Sequence, residues 1–264
     1  RNCDWSSDVC SSDLVVGVLA TLGARELAAI LRDKGILASK RISVFAALLG
    51  VCVSCFIPAH LLALDAVAIV SMSAMLVLAV SMVFFARYRT VEGIVAATGG
   101  ALLAYVYLGL MFGFLLAIRR EHSVWALLWV LMATKACDIG AYFTGTAIGR
   151  HKLIPWLSPG KTWEGLAGGV AFSCIAGAAG AKLLYGAGAA FDVRTLGLAA
   201  AAAGVLGLIG QAGDLLESIL KRDAGIKDSG RVLPGFGGIL DVIDSPLLVG
   251  PFAYWWLRWL DGLS

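Results

Sequence analysis

The stretch LALDAVAIVSMSAMLVLAVSMVFFA runs from Leu62 to Ala86 and holds one charged residue, Asp65, in its 25 positions. A helix needs about 20 mostly apolar residues to cross the hydrocarbon core of a bilayer. This stretch meets that requirement, so it predicts a transmembrane helix. The chain is therefore expected to be an integral membrane protein.

The composition of the whole chain indicates the same class. Of its 264 residues, 59% are hydrophobic and 15% are charged, against roughly 25% charged in an average soluble domain. Such a chain lacks the polar surface that a soluble fold needs. Its net charge of +3 is not patterned like that of a nucleic-acid binder, so no nucleic-acid partner is expected.

Other apolar segments extend this prediction along the chain. Together with a clipped segment near Val15 to Leu31, they predict an all-α polytopic membrane protein of about seven or eight transmembrane helices. The further candidate spans are Ile42–Pro58, Gly93–Ile118, Val124–Phe143, Leu166–Tyr185, Leu196–Ala212 and Pro246–Leu260.

The first residues differ from the rest of the chain. The stretch DWSSDVCSSDL, Asp4 to Leu14, is polar and has neither the basic nor the apolar region of a signal peptide. It resembles the translation of a common sequencing adapter. We therefore exclude residues 1–14 from the fold prediction and treat residues 15–264 as a single membrane-embedded domain.

Basic residues in short loops predict the orientation in the membrane. Arg32, Lys34, Lys40 and Arg41 precede the Ile42 span. Counting spans onward places two polar segments, Thr144–Glu164 and Asp214–Ser245, on the same side, and their many basic residues favour the cytoplasm. Arg119 and Arg120 are exceptions, since the count places them outside.

The second polar segment begins on a helix. One face of this helix carries Asp214 and, three, four and seven residues after it, Glu217, Ser218 and Lys221. Carboxylates at the end of a membrane helix are costly unless something compensates their charge. A Mg²⁺ ion would do so, because it prefers oxygen ligands. The alternative is an amphipathic helix at the membrane surface.

The second polar segment continues as KDSGRVLPGFGGILDVID, Lys227 to Asp244. Its glycines permit a tight turn, and Asp241 and Asp244 follow one helical turn apart. Backbone N–H groups, carboxylates for a metal and nearby cations are what phosphoryl-type transfer requires. The cations are Lys221, Arg222, Lys227 and Arg231. A juxtamembrane loop that binds anionic lipid heads is the alternative.

The first polar segment contains PGKT, but it is not a P-loop, because Pro155 stands where that motif needs glycine. Asp138 lies inside a predicted span, with Lys135 three residues earlier on the same helix face. An ionisable pair within the membrane is a candidate functional site. A buried structural salt bridge is the other interpretation.

These motifs together resemble the phosphatidate cytidylyltransferase family, also called CDP-diacylglycerol synthase. The main signature is S-x-x-K-R-x4-K-D-S-G followed by L-P-G-x-G-G-x-x-D-x-x-D, from Ser218 through Asp244. GQAGDLLES, the segment Asp138–Gly165, and ARELAAILRDKG at the end of the first helix are also similar to the family. The resemblance covers most of the chain after Leu14.

The resemblance implies a multi-pass enzyme of the inner membrane, with its active site facing the cytoplasm. It would transfer a cytidylyl group from CTP to phosphatidate, with Mg²⁺, K⁺ at a possible second site, and a homodimeric assembly among membrane lipids. The family's metal-binding aspartates match Asp214 and Asp241. Catalytic positions match Lys221, Arg222, Lys227, Asp228 and Asp244; we assign substrate binding to Asp138, Lys161, Ser218, Arg231, Gly237 and Gly238.

Two residues depart from the family pattern. Phe236 stands where the family usually has histidine, and Val242 where it usually has arginine. Both differences remove a polar group that would face phosphate. Two other functions stay open at this point: a CTP-dependent kinase of a lipid alcohol such as polyprenol, and a membrane transporter that uses Lys135 and Asp138.

Overall fold

The computed structural model describes residues 5–56, 63–87, 91–181, 193–230 and 237–261. Most of the described chain is helical, which confirms the all-α prediction. A π-helical segment, Ala104–Leu110, joins α4 to α5 without a break. The helices are α1 (Trp5–Asp33), α2 (Lys40–Phe56), α3 (Ala63–Ala86), α4 (Ile94–Leu103), α5 (Met111–Glu121), α6 (Val124–Ile148), α7 (Trp163–Ala179), α8 (Val193–Asp223) and α9 (Leu240–Asp261).

Within the described residues, five helical segments are long and apolar enough to cross a membrane. This confirms a polytopic membrane protein. The five are Ser12–Asp33, Asp65–Ala86, Ile94–Glu121, Val124–Ile148 and Val193–Asp223. Helices α2, α7 and α9 coincide with the other three predicted spans, whose ends at Pro58 and Tyr185 lie outside the described residues. The total of seven or eight spans stays a prediction.

Helix ends differ from the ends of the apolar runs. Helix α8 continues from Ala212 to Asp223, beyond the predicted span, because its backbone bonding does not stop where the polar residues begin. Helix α1 begins at Trp5, inside the segment that we attribute to an adapter. The separate origin of residues 1–14 stays a prediction.

The chain divides into two compact units. The first comprises the described residues up to Ala117 together with those of Leu220–Val242. In this unit α1 packs on α2, and α2 packs on the π-helical segment at two glycines. A Cβ on Gly50 would lie 2.7 Å from the Cα of Gly109, so the two backbones touch as small residues allow in membrane proteins.

The second unit comprises Ile118–Ile219 and Ile243–Ser264, so far as they are described. Helix α6 packs along α7, and the Trp129 indole Nε1 donates to the carbonyl of Gly177 at 3.0 Å. Helix α8 approaches its neighbours at glycines. A Cβ on Gly210 would lie 2.7 Å from the Thr134 side chain of α6, and one on Gly213 would lie 2.8 Å from the backbone carbonyl of Asp244 on α9.

A short antiparallel hairpin, β1 (Lys152–Ile154) with β2 (Ser158–Thr162), follows α6. The sequence predicted a loop here. Pro155 and Pro159 disfavour a helix, and the Trp163 N–H donates to the His151 carbonyl at 2.9 Å. The His151 ring nitrogen lies 2.5 Å from Glu164, whose pKa falls to about 2 chiefly through that hydrogen bond. The hairpin thereby fixes Lys161 at the start of α7.

Candidate active site

Three carboxylates of the second unit converge, and we call them the carboxylate cluster: Asp214 and Glu217 of α8 and Asp244 of α9. One oxygen of each lies within 4.8 Å of the others. Asp214 and Glu217 share a helix face because they are three residues apart. Asp244 reaches them because Gly213 has no side chain to separate α8 from α9.

The cluster is mostly withdrawn from solvent. Glu217 is fully buried and Asp244 is 3% exposed. Burial, together with the neighbouring charge of Asp214, raises the pKa of Asp244 to about 7, although the Ser245 N–H donates to its carboxylate at 2.6 Å. Three close carboxylates repel one another when all are charged.

The donor set fits a magnesium ion. Mg²⁺ is held in proteins by a few carboxylate oxygens and keeps other positions for water and phosphate. A divalent cation would also stabilise the charged form of Asp244, which burial disfavours. Asp214, Glu217 and Asp244 are therefore the described residues that would hold it.

A chain of polar side chains leads away from the cluster within the same unit. Lys161 of β2 forms an ion pair with Asp214, and its Nζ also lies 3.5 Å from the backbone carbonyl of Gln211. The Gln211 amide donates to Asp138 at 2.7 Å. The other Asp138 oxygen accepts from Lys135 at 3.1 Å, which confirms the expected proximity of that pair.

The structure thus brings together four residues that the sequence predicted for the site: Asp138, Lys161, Asp214 and Asp244. It adds Gln211, and it joins to the site Glu217 and Lys135, which the sequence placed on the helix faces of Asp214 and Asp138 without giving them a site role. Glu217 was detectable from its spacing to Asp214. Gln211 had no such signal, because its contact with Asp138 depends on how α6 packs against α8.

Asp241 is the centre of a second arrangement, in the first unit, which we call the Asp241 clasp: Asp241, Lys221, Ser229, Gly238 and Glu26. The Lys221 Nζ lies 2.6 Å from one Asp241 oxygen. The other oxygen accepts the Ser229 N–H at 3.0 Å, the Ser229 hydroxyl at 2.8 Å and the Gly238 N–H at 2.7 Å.

These donors decide the charge of Asp241. Burial raises its pKa, but the hydrogen bonds from Lys221, Gly238 and Ser229 outweigh that cause and leave the pKa below the ordinary value. A lowered pKa in the folded state stabilises the fold above the unfolded pKa of about 4, and this contribution is lost as the pH falls below it. The clasp therefore holds a charged aspartate at neutral pH.

Glu26 of α1 anchors the clasp from the other side. Its two oxygens accept the Ile239 N–H at 3.0 Å and the Leu240 N–H at 2.9 Å, at the start of α9. The Ser229 hydroxyl lies 3.2 Å from the same carboxylate. A charged acceptor at a helix N-terminus satisfies N–H groups that have no partner inside the helix.

Gly238 of the clasp and its neighbour Gly237 are required by this geometry. Gly237 has φ of 88°, a conformation that other residues rarely adopt. A Cβ on Gly238 would lie 2.1 Å from the Ser229 hydroxyl oxygen and 2.5 Å from Glu26. Both glycines thus serve the clasp, and their predicted contact with substrate stays a prediction.

Glu26→Ala should destabilise the protein by about 3 kcal/mol, because it leaves the Ile239 and Leu240 N–H groups without their acceptor. The midpoint of thermal unfolding in detergent should fall by about 5–10 °C. Glu26→Gln keeps an acceptor oxygen and should lose less. Glu121→Ala, which removes an exposed hydrogen bond to Tyr254, is the matched control and should change the midpoint little. Equal midpoints for Glu26→Ala and this control would contradict the anchoring role.

The remaining predicted site residues lie on or after α8. Ser218 is half-buried, and Arg222, Lys227 and Asp228 are exposed. Arg231, like Phe236, lies outside the described residues. The pairing of Asp214 with Asp241 at one metal ion stays a prediction.

Comparisons with known proteins found similar relatives and a matching family model. The chain is 38% identical over 157 residues to the phosphatidate cytidylyltransferase of Bacillus subtilis (strain 168), covering 59% of this chain and 56% of that protein. It is 42% identical over 150 residues to the protein of the same name from Staphylococcus aureus (strain COL), covering 56% and 54%. A third relative, the uncharacterized protein YnbB of Escherichia coli (strain K12), is 43% identical over 133 residues, covering 50% and 42%.

The chain spans about half the length of the curated relatives it matches. The match to the family model is more extensive, since residues 9–260 align with the model of the cytidylyltransferase family. That range includes both the carboxylate cluster and the Asp241 clasp. The chain therefore belongs to the cytidylyltransferase family.

Proposed function

We propose that this chain transfers a cytidylyl group from CTP to phosphatidate, giving CDP-diacylglycerol and pyrophosphate. The observation that carries the proposal is the carboxylate cluster, three converging acids with Lys161 paired to Asp214. Membership of the cytidylyltransferase family and the printed names of the relatives support it.

The reaction joins two anions. A phosphate oxygen of phosphatidate attacks the α-phosphorus of CTP, the bond from that phosphorus to the bridging oxygen breaks, and pyrophosphate leaves with the electron pair. The nucleophile is already an anion, so no nucleophilic side chain is required. The protein must instead overcome the repulsion between the reactants.

Different residues of the site are proposed to counter this repulsion. Mg²⁺, when held by the carboxylate cluster, would supply positive charge to the phosphate oxygens. Lys161 orients Asp214 through its ion pair. Arg222 and Lys227, both exposed, are proposed to neutralise charge on the leaving group. Lys221 is already paired with Asp241 and holds the clasp in place.

The orientation in the membrane, the assembly and a second cation site are also proposed. The basic loops favour an active site that faces the cytoplasm from the inner membrane. The family resemblance supports a homodimer, membrane lipids as partners, and K⁺ at a second cation site. Asp241 is proposed as a further metal ligand beside Asp214, as the family motif implies.

The test uses the purified chain in detergent with CTP, phosphatidate and Mg²⁺. Pyrophosphate and CDP-diacylglycerol should appear in equal amounts, and both should disappear when Mg²⁺ is chelated. Release of CDP together with phosphorylation of a lipid alcohol such as polyprenol would identify a CTP-dependent lipid kinase instead. Transport of a solute by proteoliposomes without nucleotide turnover would favour the transporter interpretation.

A further inference from the structure

The first unit contains a cavity of about 520 Å³ between α1 and α2. Thr21 and Arg25 of α1 line it on one side. Lys40, Arg41, Val44 and Phe45 of α2 line it on the other. None of these residues belongs to the carboxylate cluster or to the Asp241 clasp, so the proposed reaction gives the cavity no role.

The cavity is strongly cationic. Among the described residues, the side chains of Arg25, Lys40 and Arg41 form no ion pair or hydrogen bond. Lys40 and Arg41 lie in the first turn of α2, which has no acidic residue. The N-terminal end of a helix is itself positive, so cations there are unfavourable unless an anion binds. The cavity therefore fits an anionic ligand.

An apolar groove continues from the cavity along the same two helices. A second cavity of about 330 Å³ shares Thr21 with the first. Its lining is apolar around Gly17, Val18 and Leu22 of α1 and Leu48 of α2, and Asp13 and Leu14 line its far end. The two cavities together are cationic at one end and apolar along the middle of the groove, which matches a phospholipid better than a nucleotide or free phosphate.

The position along the span agrees with this ligand. Arg25 lies eight residues before Asp33, where the candidate span of α1 ends. That separation is a rise of about 12 Å. Arginine at such a depth extends its guanidinium toward the lipid headgroups while its stem stays in apolar surroundings. The apolar groove runs from Thr21 toward Gly17, deeper along the same span.

We propose that Arg25, Lys40 and Arg41 bind the phosphate headgroup of an anionic glycerophospholipid of the surrounding membrane, whose acyl chain occupies the groove beside Gly17. Basic pockets between membrane helices recognise anionic lipid heads in this way. The site is a lipid-binding site additional to the proposed reaction, and its test is a binding measurement that does not depend on enzyme activity.

The experiment titrates the delipidated chain in detergent with dioleoyl phosphatidylglycerol and measures the bound fraction by native mass spectrometry. The double variant Arg25→Gln/Arg41→Gln should bind about thirtyfold more weakly, since each cation near a lipid headgroup contributes about a tenfold or smaller factor. The matched control Lys152→Gln/Arg194→Gln removes two exposed cations elsewhere and should bind like the original chain. Equal affinity of both double variants would overturn the proposal.

A second variant tests the groove without changing charge. A Cβ on Gly17 meets no atom within 4 Å, and leucine is a good helix former, so Gly17→Leu should fold while filling the groove. It should weaken phosphatidylglycerol binding about tenfold, and full affinity would overturn the acyl-chain assignment.

Competing ligands identify the source of the anion. Phosphatidate should bind like phosphatidylglycerol, because both carry an anionic phosphate, and phosphatidylcholine should bind more weakly than either. Equal binding of phosphatidylcholine would overturn the role of charge. Displacement of the lipid by equimolar CTP or inorganic phosphate would overturn the lipid assignment and indicate a site for soluble anions.

Discussion

Asp214→Asn should lower the rate of pyrophosphate release from CTP about a thousandfold. Asparagine keeps the shape of the side chain and one oxygen but removes the negative charge. The variant therefore weakens the cation site that Asp214 forms with Glu217 and Asp244, and it removes the partner of Lys161. The rate is measured at saturating CTP and phosphatidate in detergent.

The matched control is Asp223→Asn on the same helix. Asp223 pairs with Lys34 at 2.6 Å, and both side chains are exposed, so the pair contributes little. Its rate should stay within about twofold of the original chain. A second readout separates binding from catalysis: Mg²⁺ should raise the midpoint of thermal unfolding of the original chain and of Asp223→Asn, but not of Asp214→Asn. Full pyrophosphate release by Asp214→Asn would contradict the catalytic role proposed for the carboxylate cluster.

Asp241→Leu should be the most destabilising single substitution in the Asp241 clasp. It removes the carboxylate that lies 2.6 Å from the Lys221 Nζ, a cation with 11% of its side chain exposed, and it removes the acceptor of Ser229 and Gly238. Breaking a largely buried ion pair from one side costs about 3–5 kcal/mol, a large share of the stability of a typical domain. Thermal unfolding in detergent and the folded fraction on size exclusion measure the loss.

Removing the cation of the pair instead of the carboxylate should destabilise the protein much less. Lys221→Met leaves Asp241 with the hydrogen bonds from Ser229 and Gly238. The double variant Lys221→Met/Asp241→Leu should be more stable than Asp241→Leu alone, because the cation that lost its Asp241 partner is removed as well. A double variant as unstable as Asp241→Leu would show that the ion pair is not what the clasp depends on.

Asp241→Asn separates the structural role from the proposed metal role. It keeps an oxygen for the Ser229 and Gly238 donors but removes the charge that pairs with Lys221, so it should destabilise the chain less than Asp241→Leu does, and the rate is measured well below its unfolding midpoint. Pyrophosphate release should nevertheless be lost if Asp241 is also a metal ligand, as the family motif implies. Release at the original rate would show that Asp241 stabilises the clasp and is not a metal ligand.

The sequence predicted the helices better than it predicted their ends. Apolar runs located the spans of α3 and α6 because a bilayer requires about 20 apolar residues. They did not locate the end of α8, since a helix continues into water as long as its backbone bonds are made. The hairpin of β1 and β2 was missed for a different reason: its pairing depends on a register between Lys152 and Thr162 that no local pattern encodes.

The candidate site was likewise predicted from the sequence only in part. Spacing placed Asp214 and Glu217 on one helix face, and the family motif pointed to Asp244. Nothing in the sequence connected Glu26 with Ser229, because their contact joins residues 203 positions apart. Such a contact depends on which helices pack together, and in membrane proteins small residues decide that packing.

By itself, then, the sequence determined that this is a helical membrane protein of many spans and which charged residues are candidates for phosphate chemistry, because burying charge in a bilayer is too costly to be incidental. Only the tertiary structure decided the partners of those charges. It grouped Asp214 with Glu217 and Asp244, and it gave Asp241 to Lys221, Ser229 and Gly238. The physical reason is that a carboxylate's partners are set by distances of a few ångströms, and these follow from close approach of the backbone at residues such as Gly213 and Gly238.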